Sequence, residues 1–330
     1  MSMLAPTLQA FFTQRLSGER HASPHTIAAY RDTMRLLLTF AAKQTGIEPS
    51  RLELENLDAP LIGAFLDHLE HERGCSARTR NARLAAIRSL YRYASLRHPE
   101  HAQVIERVLA IPPKRHERSL VTFLTEEEID ALLGAPDRST WTGRRDHALM
   151  MLAVQTGLRV SEITALNCGD LHLGAGAHVN CQKGKGRKQR ITPLTTETVT
   201  TLRSWLHERG GEQSEPLFPA STGRRLSRDA LEHRLAKHAA HAAERCHSLR
   251  TKRLTPHVLR HTAAMRLLHA GVDTTVIALW LGHEQIETTH IYLHADLAIK
   301  EQALARTTPL NGKPGRYQPP DAILAFLDTL

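Results

Sequence analysis

Thr156-Gly157-Leu158-Arg159-Val160-Ser161-Glu162-Ile163 follows directly on an apolar-rich stretch, residues 144–155, that reads as a helix. Taken alone the octapeptide is ambiguous, because Arg159 and Glu162 stand at the spacing of an ion pair on one helix face. Three other segments share that ambiguity. The basic turn Lys183-Gly184-Lys185-Gly186-Arg187-Lys188 reads by itself as a solvated hairpin tip whose lysines keep a sheet edge soluble. In His257-Val258-Leu259-Arg260-His261, the preceding Thr255-Pro256 caps a helix and sets His257 and Arg260 one turn apart, as a satisfied histidine and a surface arginine would be. Leu281-Gly282-His283 has Tyr292 nine residues beyond it, in isolation a core or interface aromatic.

Outward from these segments the chain is helical almost throughout. The β signal lies between about residues 170 and 194, where His178-Val179-Asn180-Cys181 and Arg190-Ile191-Thr192 flank the basic turn. Upstream, Ser23-Pro24 opens a helix over 25–42 with Ile27, Tyr30, Met34, Leu37, Leu38 and Ala41 at helical spacing, and similar patterns cover 59–71 and 77–96. Between residues 73 and 97 there are seven arginines and no acidic residue. Leu84, Ile87, Tyr91 and Ala94 form the buried stripe there, while Arg88 and Arg92 lie one turn apart on another face. With the acids missing, phosphate contact outweighs a solvated face, and Arg78, Arg80, Arg88 and Arg92 are the candidates. Ile111-Pro112-Pro113-Lys114-Arg115-His116-Glu117-Arg118 then interrupts the pattern as an extended linker. The predicted organisation is a helical domain over 1–110, a linker over 111–120, a second domain over 121–310 that starts at the capping box Thr125-Glu126-Glu127-Glu128, and a tail over 311–330. That tail is a Gly/Pro-rich tether followed by Ile323, Leu324, Phe326, Leu327 and Leu330 on one face of a short helix.

Length and composition bound the function. The chain has 330 residues, enough for two domains, and its 41% hydrophobic and 23% charged content is that of a folded soluble protein. With 43 Lys+Arg against 34 Asp+Glu, the net charge of +9 favours a polyanionic partner without telling DNA from RNA or an acidic membrane. No apolar run is long enough to span a bilayer and the N-terminus lacks a basic region before its apolar residues, so a cytoplasmic protein with no membrane partner is expected. Four scattered cysteines without a C-x-x-C pair argue against a disulfide framework or a thiolate zinc site. His283-Glu284 starts like a zincin motif, but the next histidine, His290, is seven residues on. His233, His238, His241 and His247 are loosely spaced along a helical stretch, so no metal site is expected. No phosphate-binding loop is present either.

The order and spacing of the four segments resemble the tyrosine recombinase, or phage integrase, family, and the resemblance spans nearly the whole chain. It implies a mainly α fold with a small β-sheet in two domains: a helical SAM-like core-binding domain and an α+β catalytic domain. By the same resemblance Arg159 is the first catalytic arginine, Lys185 the hairpin lysine, His257 and Arg260 the second pair, His283 the L-G-H histidine and Tyr292 the nucleophile. A phosphodiester attacked by an oxygen passes through a five-coordinate arrangement whose nonbridging oxygens must be neutralised, and two permanently charged, forked guanidiniums do so without a metal. His257 and His283 add donors, and one of them can accept the tyrosine proton. By that resemblance Lys185 would protonate the departing 5′ oxygen, leaving a 3′-phosphotyrosyl link that keeps the phosphodiester's energy, so no cofactor is expected. Lys183 is the rival for that role, since hairpin alignments slip by two residues. Lys183, Arg187, Lys188 and Arg190 otherwise read as phosphate contacts, and Glu162 as a carboxylate that orients Arg159 or a neighbouring base. The expected function is site-specific recombination of double-stranded DNA in integration, excision or resolution. The expected assembly is a homo-oligomer, a tetramer on two DNA sites, or a pairing with a related recombinase. With only some twenty residues before the first core-binding helix, the chain looks closest to compact Xer-type or transposon-associated members. A type IB topoisomerase and a catalytically silent DNA-binding protein of the same fold remain as alternatives, and the terminal helix is left free to dock in cis or in trans.

Overall fold

Side-chain caps set most of the helix starts. In the computed structural model, which describes residues 4–115, 121–181 and 189–282 together with Thr289 and Tyr292, the chain divides into two units, Met1–Arg118 and Ser119–Leu330. The tail expected over 311–330 lies outside the described residues. The first unit is helical: α1 (Leu4–Ala10), α2 (Pro24–Thr45), α3 (Ala59–His71), α4 (Ala77–Ala94) and α5 (Ala102–Ala110). Ser23, Asp58 and Ser76 each accept a hydrogen bond from the backbone N–H three residues on, which stops α2, α3 and α4 from fraying at their starts. Between α1 and α2, Phe11–Glu19 winds as a π-helix. Its wider turn brings Phe11 and Leu16, five residues apart, onto one buried face, a spacing that an α-helix would split. The expected stripe on α4 is buried as read: Leu84, Ile87, Tyr91 and Ala94 join Leu37, Ile62, Phe65 and Leu66 in one core.

The second unit carries α6 (Glu126–Leu133), α7 (Trp141–Thr156), α8 (Val160–Ala165), α9 (Thr196–Arg209), α10 (Arg228–Arg245), α11 (Pro256–His269) and α12 (Thr274–Leu281). A three-stranded antiparallel sheet sits between α8 and α9 in sequence, with β1 (Leu171–His172), β2 (His178–Cys181) and β3 (Arg190–Pro193) in spatial order. Strands β2 and β3 are the expected hairpin, in register Cys181 with Arg190 and His178 with Pro193. The short β1 carries no alternating pattern of its own; it pairs only Leu171 with Val179 and His172 with His178.

Helix α7 is buried along nearly its whole circumference, with every residue from Ala148 to Val154 in the core. It packs on α9 and α11. Charged residues at its start are also buried, and they are paired as such burial requires. Arg145 donates to Asp146 Oδ1 and to the Pro219 carbonyl, and Asp146 in turn holds Arg234 at 3.0 Å and His238 at 2.9 Å on α10. One of the loosely spaced histidines is thereby fixed to a carboxylate as part of the α7–α10 joint.

Candidate active site

The T-G-L-R block is a set of turn requirements before it is a set of reactive groups. Helix α7 ends at Thr156, whose hydroxyl donates back to Leu152 O at 2.6 Å. Gly157 caps it at φ 63°, in the left-handed region. A Cβ at this position would stand 2.6 Å from Leu281 Cδ2 and 3.1 Å from Ala263 Cβ, so glycine is demanded by both conformation and packing. The chain then leaves through buried Leu158 to Arg159, the N-cap of α8.

Three residues on, Glu162 closes the cap. Its Oε2 accepts the Arg159 backbone N–H at 2.7 Å and its Oε1 accepts Arg159 Nη1 at 2.9 Å. From β3, Arg190 donates both terminal nitrogens to the same carboxylate, at 2.9 and 2.6 Å. Glu162 is only 2% exposed. Burial works to raise its pKa, but the hydrogen bonds and charges of Arg190 and Arg159 outweigh that and hold the carboxyl below the usual range. The result is a carboxylate set between two guanidiniums, one from the start of α8 and one from β3.

Helix α11 supplies the second arginine. Thr255 accepts from the Val258 N–H and Pro256 sits in the first turn, as the sequence suggests. His257 is exposed; Arg260, one turn on, is 4% exposed. Arg260 Nη1 donates to Gly157 O at 2.7 Å and Nη2 to Leu281 O at 2.6 Å, while Arg159 Nη2 donates to Gly282 O at 3.0 Å. Gly282 caps α12 at φ 64°, and a Cβ there would meet Arg190 Nη1 at 2.7 Å. The T-G and L-G turns therefore do the same job, each presenting carbonyls that fix an arginine. Burial, with Arg159 and Arg190 nearby, lowers the Arg260 pKa to about 10, still charged at neutral pH; Glu162 and Tyr292 act in the other direction.

Tyr292 is brought to this helix. Its ring is 1% exposed and packs with Ala264, Met265, Ile277 and Leu281. The hydroxyl lies 3.0 Å from His261 Nδ1, with the two rings edge to face at 5.6 Å. His261 in turn lies over His257, one turn earlier, at 6.3 Å. Burial raises the Tyr292 pKa to about 12 against the pull of Arg260 and Arg159. Burial, His257 and Arg260 push His261 down to about 4, and His257 is lowered by burial and by the charges of Arg260, Arg228 and Arg159.

Of the residues singled out from sequence, Arg159, Glu162, His257, Arg260 and Tyr292 come together, and Arg190 joins them through Glu162. Lys183, Lys185, Arg187, Lys188 and His283 lie outside the described residues. On α4, Arg78 and Arg92 are exposed, but two neighbours are engaged within the unit. Arg80 stands 4.0 Å from Glu70, and Arg88 donates to the carbonyls of Leu109, at 2.9 Å, and Ile111. His261 was given no role by sequence; the signal for it was its place four residues after His257, on the same helix face. Among the described residues no helix is long and apolar enough to cross a membrane.

Comparison with known proteins shows the family. Residues 122–298 match the phage integrase family, and residues 10–98 match the phage integrase N-terminal SAM-like domain. A Sinorhizobium fredii protein described as an integrase/recombinase, y4rC, is 57% identical over 327 residues, covering 99% of this chain and 98% of its own. Tyrosine recombinase XerC of Pelobacter propionicus is 34% identical over 287 residues, 87% of this chain and 90% of that one. The crystal structure of the XerH site-specific recombinase bound to a palindromic difH substrate, a post-cleavage complex, shares the fold at a TM-score of 0.68 and 24% identity, over 88% of this chain and 82% of the other. A helical unit followed by an α+β unit, an arginine pair fixed by two glycine turns and a tyrosine held beside them are thus joined to sequence likeness along nearly the full length. The chain belongs to the phage integrase family of tyrosine recombinases and is a site-specific recombinase that cuts and rejoins DNA through a phosphotyrosyl intermediate.

Proposed function

We propose that Arg159 and Arg260 grip the scissile phosphate of a duplex site from two directions while Tyr292 attacks it, with His257 and His283 donating to the nonbridging oxygens. The observation that carries this reading is the Tyr292 hydroxyl bonded to His261 on the helical turn that bears His257 and Arg260. Phosphoryl transfer of this kind asks for positioning and charge neutralisation more than for covalent help, and the two guanidiniums supply both. Lys185 protonates the leaving 5′ oxygen, with Lys183 as the rival; Glu162 and Arg190 hold Arg159 in place. Two duplexes are recombined by a tetramer in the cytoplasm, in integration, excision or resolution. Incubation with nicked suicide duplexes tests this. A recombinase gives covalent protein and exchanged strands, a topoisomerase covalent protein without exchange, and a silent binding module neither. Sequencing the DNA attached to trapped protein identifies the site.

Two predictions follow the assignments closely. Lys185→Ala slows cleavage, and a duplex whose bridging 5′ oxygen is replaced by sulfur, a better leaving group, restores it, whereas Arg260→Ala stays defective on that duplex. Rescue of Lys183→Ala in place of Lys185→Ala would move the acid two residues upstream. On the helical unit, Arg92→Ala lowers the slope of log affinity against log salt by about one, as loss of one phosphate contact does. Arg88→Ala instead lowers stability by about 1 to 3 kcal/mol, because its guanidinium satisfies carbonyls at the end of α5. An unchanged slope in Arg92→Ala returns that face of α4 to plain solvent.

A further inference from the structure

We propose that His261 receives the Tyr292 hydroxyl proton during strand cleavage and returns it during rejoining; this rests on Tyr292 being the nucleophile. The contact is already made, since Tyr292 Oη lies 3.0 Å from His261 Nδ1 in a site with almost no solvent exposure at the tyrosine. For this transfer Nδ1 must be the accepting nitrogen of the neutral imidazole, with the ring hydrogen on Nε2. Two rings flank it. The His257 ring is near-parallel to it with centroids 6.3 Å apart, and the Tyr292 ring meets it edge to face at 5.6 Å. His257 itself is exposed and His261 half-buried, which suits the outer histidine to the phosphate oxygens and leaves the inner one to the tyrosine.

The proton balance closes with the general acid of the proposed function. As the Tyr292 oxygen forms its bond to phosphorus, the O–H proton passes to His261 Nδ1, the P–O5′ bond breaks, and the leaving oxygen takes its proton from the hairpin lysine. Rejoining reverses each transfer. The charged and titratable groups facing the pair are His257 and Arg260 on α11 and Arg159 ahead of α8, with Glu162 and Arg190 behind them; α12 contributes no charged side chain. Arg260 is therefore one of the charges that keep His261 unprotonated and also the charge that grips the phosphate. A seated phosphate offsets it, so the acceptor strengthens when substrate arrives and the free protein stores a neutral phenol beside a neutral imidazole.

The test uses full-length protein in single-turnover cleavage of a nicked duplex bearing the site recovered from trapped complexes. His261→Phe keeps the ring's bulk without an acceptor; His261→Asn keeps an accepting oxygen near Nδ1 that cannot take a proton. Both should bind the duplex within about twofold of wild type, which reports folding, and cleave at least about 100-fold more slowly. Their rates should climb about tenfold per pH unit above neutrality as hydroxide takes over, while the wild-type profile stays flatter. Either variant cleaving within about threefold of wild type, with the wild-type pH profile, overturns the proposal. So does a fast His261→Asn beside a slow His261→Phe, which would reduce His261 to a hydrogen-bond orienter. Tyr292→Phe separates the two levels: a surviving adduct in that variant overturns the nucleophile and this proposal together, whereas loss of the adduct with fast His261 variants sinks the proposal alone.

Discussion

Tyr292→Phe yields no covalent protein–DNA complex on a suicide duplex, while specific binding and the fold are retained. The loss is absolute rather than graded, because a benzene ring has no oxygen to place on phosphorus and nothing else in the described site carries a comparable nucleophile. Stability changes little. The ring keeps its packing against Ala264, Met265, Ile277 and Leu281, and the hydroxyl removed has His261 Nδ1 as a partner, so about 1 kcal/mol is the expected cost. Gel shift and thermal melting measured beside the trapping assay therefore separate lost chemistry from lost structure. A normal adduct yield would move the nucleophile elsewhere, to Tyr317 first, the remaining tyrosine downstream.

Why Arg159, Arg260 and Tyr292 could be singled out in sequence is a matter of local geometry. Gly157 and Gly282 each sit at a positive φ where a Cβ would clash, and the carbonyls of both turns are spent on Arg159 and Arg260. Such requirements are written in adjacent letters, so T-G-L-R, the H-x-L-R-H block and L-G-H with a tyrosine nine residues on are readable without coordinates. The helical first unit was legible for the same reason, since caps and apolar stripes are local. What was not legible depends on partners far along the chain. Arg190 read as a phosphate contact, yet both of its terminal nitrogens rest on Glu162, 28 residues away. Arg88 stands on an arginine-rich face, but its acceptors lie 21 and 23 residues downstream. A cation's type announces only that it needs an anion or a carbonyl, not which one. The π-helical spacing of Phe11 and Leu16 escaped as well, since the 3.6-residue template counts such a pair as out of phase.

Replacing Glu162 should do the most damage of any change that leaves the reacting groups untouched. Its side chain is 1% exposed and sits between two guanidiniums whose own side chains are 20% and 11% exposed. Glu162→Ala leaves Arg159 and Arg190 as unpaired like charges beside Arg260, and loss of one partner from so buried a pair costs about 3 to 5 kcal/mol. Cleavage should fall by about 100-fold or more, because Arg159 loses the carboxylate that orients the fork proposed to grip the phosphate, and a displacement of about 1 Å is worth that much. Glu162→Gln keeps the shape and isolates the charge. The carboxyl is held below its ordinary value of 4.5 in the folded chain, so its contribution to stability is fully present above that value and is lost as pH falls through the folded one. The gap in melting temperature between wild type and Glu162→Gln should therefore hold constant down to about pH 5 and close in stronger acid, where the wild-type carboxyl becomes as neutral as the amide. A gap that stays open as the wild type is acidified would mean that shape, not charge, is what Glu162 contributes between the two arginines.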